Sequence, residues 1–246
     1  MVQQLAEGVV RLGSDQVNWY LVEDGGGVTV VDAGVPRFRP QLDEGLRLLG
    51  RQARDVAAVV LTHAHADHVG CAEPLRTSLA IPVHVHREDD ELARTKKPFG
   101  KNEASLLPYL RHRQAWRLLA HLLANGGATI KKIGETSTFE DGAMLDVPGR
   151  PRVIHTPGHT PGHVALHFAT RGLLAAGDLL CTFNPLTAAR GPQLMPSAFN
   201  LSSATILDSL ARIEDVDAPL TVFGHGEPWR ESPAAAVADA RSVGPT

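Results

Sequence analysis

Cysteine is scarce in this chain of 246 residues, and the two copies, Cys71 and Cys181, are too few for a framework of disulfides. Long apolar runs are missing as well, so no segment predicts a membrane-spanning helix. The first residues, MVQQLAEGVVRLGSDQ, have neither the basic start nor the apolar core of a secretory signal. From these absences we expect a protein of the reducing cytoplasm.

An excess of charge of either sign is also lacking. The 24 basic and 27 acidic side chains leave a formal charge of −3, which gives neither a positive surface for nucleic acid nor a polybasic patch for a membrane. We therefore expect a small-molecule substrate, no nucleic-acid partner and no membrane partner, and a homodimer is compatible with the sequence. Hydrophobic content of 43% is typical of a globular protein with a substantial core.

Short β-rich runs alternate with glycine turns over the first thirty residues and predict an antiparallel meander. Later, a strand ending in Asp is twice followed by a helix and a strand ending in His: VTVVDAG with VVLTHAH, and GLLAAGD with TVFGHGE. This order predicts two similar sheets packed face to face with helices outside, a four-layer α/β arrangement. We interpret residues 87–132, charged and then helical, as an insertion within a single domain covering residues 1–246.

The twelve histidines are the informative count in this composition. The segment LTHAHADHVG carries His63, His65, Asp67 and His68 within six positions. Imidazole and carboxylate are ligands of zinc, iron or manganese, and the motif has no cysteine, which argues against a closed structural zinc site. Because four ligands so close along the chain crowd a single tetrahedral ion, we expect two ions to share them.

Two ions need further ligands, and candidates follow strands elsewhere. His159 lies in the turn HTPGHTPGH, Asp178 ends the strand GLLAAGD, and His225 ends PLTVFGH. Polar side chains at strand ends are where α/β active sites form, although a lone one is more often a core residue or a helix cap. That structural interpretation is kept for five other histidines: His84, His86, His112, His155 and His163.

Together the motifs VVDAG, THAHADH, TPGHTPGH, AAGD and FGHGE, in that order, resemble the metallo-β-lactamase superfamily over about residues 8–230. The resemblance implies the αββα sandwich, in which two mixed β-sheets pack together with helices outside. By position it also implies the ligands: His63, His65 and His159 for one ion, Asp67, His68 and His225 for the other, and Asp178 as the bridge.

The resemblance implies roles around these ligands too. Asp32 is similar to a carboxylate that orients the metal-binding loop without binding metal, and His163 is expected beside the ligands. Two divalent ions, zinc first with iron or manganese as alternatives, lower the pKa of a shared water from about 15.7 towards about 7. The implied reaction is hydrolysis by a metal-bridging hydroxide, in which Asp67 orients the hydroxide or carries its proton.

Within the superfamily, the HTPGH run and the GHG around His225 look most like the glyoxalase II branch, which cleaves thioesters, with small-molecule lactonases close by. True β-lactamases as a group lack the bridging carboxylate that Asp178 resembles. After Asp178, LLCTFNPLTAARG stands where glyoxalase II has a Gly-Cys-Gly-Arg-type stretch. We therefore predict a hydrolase of a small ester, thioester or lactone. The alternatives are a mononuclear iron persulfide dioxygenase and a metal-dependent phosphodiesterase or nuclease.

Substrate-binding residues are expected in two places. The loop after Asp178 offers Phe183 and Phe199 as a substrate wall. The 87–132 segment offers an apolar pocket over the metals, with four candidates: Leu106, Leu107, Trp116 and Leu119. It also offers basic side chains for an anionic substrate: Lys96, Lys97, Lys101, Arg111 and Arg113. A solvated charged face on a packing helix is the alternative interpretation of this segment.

Overall fold

The computed structural model describes residues 1–95, 97 and 101–246. Within them the strands form a seven-stranded sheet, a four-stranded sheet and a two-stranded hairpin. The first sheet follows chain order: β1 Val2–Ala6, β2 Val9–Gly13, β3 Asn18–Asp24, β4 Gly27–Val31, β5 Val56–Val60, β6 Val83–His86 and β7 Ser137–Phe139. Its helices are α1 Arg39–Leu48, α2 Ala66–Val69, α3 Ala72–Leu79, α4 Asp90–Thr95 and α5 Arg113–Ala124.

The first sheet joins an antiparallel half to a parallel half. β1 to β4 run antiparallel, as the meander predicted. Gly25 and Gly26 connect β3 to β4 with φ of 58° and 91°, the positive values that a two-residue hairpin turn requires. β4 to β7 run parallel. Their carboxyl ends therefore meet at one edge of the sheet, which is where Asp32 and the histidine segment follow β4 and β5.

The second sheet has the strand order β13-β10-β9-β8. β8, β9 and β10 are antiparallel neighbours, and β13 pairs parallel with β10. Asp178 directly follows β10, and His225 comes just after β13. The remaining elements are β8 Arg152–His155, β9 Val164–Phe168, β10 Leu173–Gly177, β11 Cys181–Phe183, β12 Arg190–Gln193, α6 Ser203–Ser209, β13 Leu220–Phe223 and α7 Pro233–Val243.

Three apolar layers hold these elements together. Side chains of both sheets meet in the middle layer, as Val60 and Leu166 do. The outer face of the first sheet packs on helices through residues such as Leu46, and that of the second sheet through residues such as Val237. Burying each such side chain stabilises the fold by about 1.5–3 kcal/mol. The order helix, sheet, sheet, helix confirms the predicted four-layer α/β sandwich.

Residues 87–132 connect β6 to β7, which are parallel neighbours and so need a crossover connection. Its described part contains α4, a 3-10 turn at Leu107–Arg111, and α5. Ala115 and Leu118 of α5 pack with Leu186 and Ala198 in a separate small core. No helix in the described part of the chain is long and apolar enough to cross a membrane.

Candidate metal centre

Side chains from both sheets converge where β5, β10 and β13 end. Their donor atoms form overlapping groups, and within each group the atoms lie within 4.8 Å of one another. The groups are His63, His65 and His159; His63, His68 and Asp178; and Asp67, His68 and His225. The structure therefore brings together all the residues that the sequence motifs nominated as ligands.

Asp178 lies at the middle of this cluster. Its Oδ2 is 3.4 Å from His159 Nε2, 3.3 Å from His225 Nε2 and 3.9 Å from His63 Nε2. Its Oδ1 is 3.4 Å from His68 Nε2. One carboxylate thus faces imidazoles of both predicted ion sites, which is the position that a bridging ligand requires.

Four of the histidines are oriented by contacts on the side of the ring that faces away from the cluster. In each, Nδ1 contacts an oxygen atom outside the cluster, so that Nε2 faces inward; such partners fix the tautomer and the direction of a ligand. The contacts are His63 with Thr62 Oγ1 at 3.1 Å, His68 with Asp32 Oδ2 at 2.9 Å, His159 with Asn200 Oδ1 at 2.8 Å, and His225 with the Gln16 carbonyl oxygen. Neither Asn200 nor Gln16 carried any signal in the sequence motifs.

His65 is oriented differently. Its Nδ1, and not its Nε2, lies 2.9 Å from His159 Nε2. Its ring stands at 86° to that of His63. The three rings therefore direct one nitrogen each toward a common position, as ligands of one ion do.

Asp32 supports the cluster through contacts with Thr62 and His68. Its buried carboxylate accepts the Thr62 N–H at 2.8 Å and the Thr62 hydroxyl at 2.9 Å, and it contacts His68 Nδ1. Its φ of 60° lies in the left-handed region, which aspartate tolerates better than most residues. The structure places Asp32 behind His68 and outside the donor groups, in the orienting position that the resemblance implied.

His163 also lies beside the donor groups. Its Nε2 accepts the backbone N–H of Asp178 at 3.0 Å, and its Nδ1 contacts Thr156 Oγ1 at 2.9 Å. Burial lowers its pKa to about 3, so the ring is neutral at physiological pH. Because both ring nitrogens are already engaged, His163 holds Asp178 in place and has no lone pair left for a metal.

Two glycines leave room for these contacts. A Cβ atom at Gly224 would overlap with Asp178 Oδ1 and lie 2.6 Å from His68 Cε1. A Cβ atom at Gly177 would lie 2.8 Å from His163 Nε2, and its φ of 55° favours glycine as well. The glycines flanking the two predicted ligands of the second sheet are therefore steric requirements of the site.

Burial determines the charge of several of these groups. Burial lowers the pKa of His63 and of His159 well below the usual value, and neighbouring imidazoles, His68 and His65 respectively, add to the effect. Both rings are therefore neutral, which is the form that binds a metal. Burial would raise the pKa of Asp178, but the facing His225 and His68 outweigh it and hold the pKa well below its ordinary range.

The pKa of His68 is raised, unlike that of His63. Burial alone would lower its pKa, but the carboxylates of Asp178 and Asp32 outweigh burial and raise the pKa well above its usual value. The same two carboxylates would attract a metal cation to Nε2. A metal ion and a proton therefore compete for this nitrogen.

Buried polar atoms without hydrogen-bond partners test whether a metal fits this cluster. His63 Nε2, His68 Nε2 and Asp178 Oδ1 are buried and have no hydrogen-bond partner. Each such atom costs about 1–3 kcal/mol unless something satisfies it. Imidazole nitrogen and carboxylate oxygen, without thiolate, suit zinc, iron or manganese. The residues present therefore fit a divalent metal centre.

A cavity of about 250 Å³ opens onto the cluster. His65, Asp67, His159, Asp178 and His225 form its base. Its walls are mostly apolar, and no Lys or Arg is found among the described residues that line it. The wall residues are Ala66, Asn102, Leu118, Leu122, Met195 and Phe199.

Of the predicted substrate residues that the structure describes, Phe199 alone lines this cavity. Phe183 lies in β11 with the Arg190 guanidinium 5.4 Å from its ring centre, and it is not part of the wall. Trp116 is 54% exposed and donates its indole N–H to the Leu110 carbonyl. The expectation for Trp116 is corrected, because α5 turns Leu118 and Leu122 inward and Trp116 outward.

The other residues proposed for the 87–132 segment, as far as the structure describes them, are likewise outside the cavity. Leu106, Leu107 and Leu119 are exposed. Four of the basic residues are exposed and do not line it: Lys97, Lys101, Arg111 and Arg113. Lys96 lies outside the described residues.

A second histidine group lies apart from the cluster. His86, Glu88 and His155 bring donor atoms within 4.8 Å of one another. The two rings stack at 4.2 Å between centres, His86 Nδ1 accepts the Glu88 N–H, and His155 Nε2 lies 2.7 Å from the Pro161 carbonyl oxygen. These contacts occupy ring nitrogens that a metal would need.

Asp89 belongs to the site, although no motif singled it out. Its fully buried carboxylate accepts the Ala64 N–H at 2.9 Å, the Gly162 N–H at 2.7 Å and the Thr160 hydroxyl at 2.8 Å. Ala64 separates two of the nominated ligands, and Thr160 follows a third. One carboxylate therefore ties the histidine segment to the HTPGH turn. In the sequence it is hidden in the charged run HREDDE, which predicts exposed side chains.

The Asp89→Asn variant tests this connection. An asparagine presents an NH2 group to donors that now meet a carboxylate oxygen, so the two loops should loosen. We expect metal affinity to fall by about tenfold, as when other supporting partners are lost. The measurement is competition against a fluorescent metal chelator. Glu88→Gln, at the exposed neighbouring position, is the control and should retain full affinity; equal affinities for all three proteins would contradict the role.

Comparison with known proteins adds an independent finding. A family model described as the metallo-beta-lactamase superfamily matches residues 12–225. The chain is 28% identical over 222 residues to the probable metallo-hydrolase YqjP of Bacillus subtilis (strain 168), a match that covers 85% of this chain and 66% of that protein. It is 25% identical over 246 residues to the probable metallo-hydrolase YflN of the same organism, covering 92% of this chain and 86% of YflN.

Solved structures show the same architecture. A metallo-beta-lactamase family protein of Thermus thermophilus is 26% identical and superposes with a TM-score of 0.68, covering 98% of this chain and 80% of that one. The subclass B3 metallo-beta-lactamase MEM-A1, from a soil metagenome library, has a TM-score of 0.67 at 18% identity, covering 98% of this chain and 92% of that one. At that identity the second likeness concerns the fold alone.

Proposed function

Because this chain belongs to the metallo-β-lactamase superfamily, we propose that it is a dinuclear metal-dependent hydrolase of a small ester, thioester or lactone. Its similarity to two probable metallo-hydrolases supports the hydrolase part. One observation carries the dinuclear part: Asp178 faces histidines of both predicted ion sites at 3.3–3.9 Å. The motif pattern around His159 and His225 favours the glyoxalase II-like or lactonase-like branch.

Each of two ions would have three ligands of its own and would share a fourth. His63, His65 and His159 would hold one ion, Asp67, His68 and His225 would hold the other, and Asp178 would bind both. When bound, a pair of zinc, iron or manganese ions supplies a water that is acidic at neutral pH and an electrophile for a carbonyl oxygen. Thr62, Asp32 and Asn200 keep the imidazoles in their directions, so little reorganisation is needed during the reaction.

Asp67 is the carboxylate that would move a proton. Its Oδ2 lies 3.6 Å from His225 Nε2, and its side chain is 17% exposed, against 3% for Asp178. Asp67 therefore borders the cavity, where it would orient the attacking water and take up its proton at Oδ2. Asp178, held by the His163 contact to its backbone N–H, remains fixed as the anion between the two groups.

The cavity supports a small substrate with an uncharged acyl part. Its volume of about 250 Å³ is below that of most drug-sized ligand sites. Leu118, Leu122, Met195 and Phe199 would contact carbon and not charge. An anionic glutathione conjugate or a polynucleotide would find no Lys or Arg among the described lining residues, which favours simple esters, thioesters and lactones.

Metal removal and titration test the proposal. Dialysis against a chelator should abolish hydrolysis, and zinc should restore it as the bound content reaches about two ions per chain. Metal at 100 to 1,000 times its Kd should also stabilise the folded chain by about 2.7–4 kcal/mol. Elemental analysis, thermal unfolding and a screen of short esters, thioesters, lactones, phosphodiesters and β-lactams are the measurements.

Two outcomes would replace the proposal. One iron per chain, with oxygen consumed on a persulfide substrate, would identify the mononuclear dioxygenase alternative. Hydrolysis confined to phosphodiesters would identify the phosphodiesterase or nuclease alternative. Turnover of an ester, thioester or lactone that requires two ions would exclude both.

A further inference from the structure

Helix α5 has an apolar face that is wider than the core covers. Leu118 is buried and Leu122 half-buried, whereas Trp116, Leu119 and Leu123 are 54%, 47% and 58% exposed. With 3.6 residues per turn, Leu119 lies beside Leu122 on the helix surface, and Leu123 and Trp116 lie further round it. The apolar face therefore continues from the wall of the metal cavity out to solvent.

The turn before α5 enlarges this exposed area. Leu106 and Leu107 are 43% and 74% exposed, and the turn packs against α5. We call the five exposed side chains Leu106, Leu107, Trp116, Leu119 and Leu123 the α5 surface. A contiguous apolar patch on a folded protein marks an interaction site more often than a scattered apolar residue does.

Basic side chains predominate in the stretch of chain that carries the α5 surface. Residues 104–134 contain five basic side chains and no Asp or Glu, in a chain whose formal charge is −3. All five basic side chains are exposed: Arg111, Arg113, Arg117, Lys131 and Lys132. Because two copies of this surface would repel each other, the charge argues against a symmetric dimer here and for an anionic partner.

We propose that the α5 surface docks on an anionic phospholipid bilayer. Tryptophan and leucine on one side of a helix, with arginine flanking them, is the chemistry of helices that lie in the membrane interface. The apolar side chains would enter the headgroup region, and the arginines would pair with lipid phosphates. The count of charges over the whole chain hides this local excess, which is why the sequence as a whole predicts no membrane partner.

Docking would place the metal cavity next to the bilayer. Leu118 and Leu122, which line the cavity, are on the same helix as the docking side chains. A substrate with an apolar chain would then pass from lipid to the cavity along α5. This last step rests on the proposed hydrolase function, whereas docking itself does not.

Vesicle sedimentation with the full chain tests the proposal. We expect binding to phosphatidylglycerol-containing vesicles and not to pure phosphatidylcholine vesicles, with a loss of about tenfold or more when added salt screens the charges. Trp116 fluorescence should shift to the blue on binding. Leu119→Glu should abolish binding. Leu48→Glu is the control and should retain binding, because Leu48 lies on α1 and its exposed fraction of 48% matches the 47% of Leu119.

Several results would overturn it. Absence of binding by the unmodified chain would exclude a bilayer, and equal binding by Leu119→Glu would exclude the α5 surface as the docking site. A dimer in light scattering that Leu119→Glu dissociates would identify a second copy as the occupant, and binding of an RNA or an acidic protein without vesicle binding would identify that class. If Leu119→Glu unfolds at a lower temperature, Arg113→Glu with Arg117→Glu replaces it. Vesicle binding is measured without substrate, so failure of the hydrolase proposal leaves this test intact.

Discussion

Replacing Asp178 with alanine is expected to abolish turnover and to lower the bound metal below one ion per chain. The substitution removes the carboxylate that contacts His68, His159 and His225 at 3.3–3.4 Å. A partner behind a ligand typically contributes about 10–100-fold. A ligand shared by both ions should contribute more, at least about 10³-fold in kcat/KM, with the steepest loss in metal content.

The experiment compares metal content and kcat/KM of Asp178→Ala with those of Asp239→Ala. Asp239 is exposed on α7 and belongs to none of the donor groups, so its loss should change neither quantity. Far-ultraviolet circular dichroism checks that both variants fold. An Asp178→Ala protein that keeps two ions and more than about a tenth of its turnover would contradict the bridging position, since a bridging ligand cannot be lost without effect on both ions.

Asp32→Asn is expected to weaken one ion selectively. For His68 Nε2 to bind metal, the ring proton must be on Nδ1, where it is donated to Asp32 Oδ2. An asparagine must also accept the Thr62 N–H, which leaves its NH2 group facing His68. The Nδ1–H of His68 and the NH2 group of the asparagine are then both donors and cannot bond to each other. The ring proton of His68 therefore shifts to Nε2, where it blocks the lone pair that would bind the metal.

The expected result is a Kd for the second ion that rises by about 10–100-fold, with a smaller change for the first. The measurement is a two-step metal titration followed by calorimetry, with cobalt absorption as a second readout of coordination. Asp239→Asn is the matched control. A variant that binds both ions as tightly as the unmodified chain would show that Asp32 does not determine the tautomer of His68. Equal weakening of both ions would point to a general loosening of the histidine segment.

The fold class could be predicted because its signals are local. Glycine turns between β-rich runs predicted the meander, and the repeated order of Asp-ending and His-ending strands predicted two sheets. The αββα sandwich and membership of the superfamily are confirmed. The single-domain boundary and the insertion at 87–132 stay predictions, as do the number and identity of the ions.

The nominated metal ligands were accessible to sequence reasoning for a similar reason. Metal chemistry demands histidine or aspartate, and the fold delivers them directly after strands or in a Gly/Pro-rich turn, so residue type and local position coincide. His163 shows the limit of this argument. It lies in the same motif as His159, and only the resemblance favoured His159 as the ligand. In the structure, the contact of His163 with the Asp178 backbone N–H, at 3.0 Å, distinguishes the two.

The sequence by itself determined the chemistry of this protein: imidazoles and carboxylates at the ends of apolar strands, whose identity and order are written in short motifs. Tertiary structure alone decided what surrounds them. Whether α5 turns Leu118 or Trp116 toward the cavity depends on packing against residues far along the chain, Leu186 and Ala198. Asp89 became part of the site because its carboxylate is buried between two loops. Long-range packing determines both, and no local pattern encodes it.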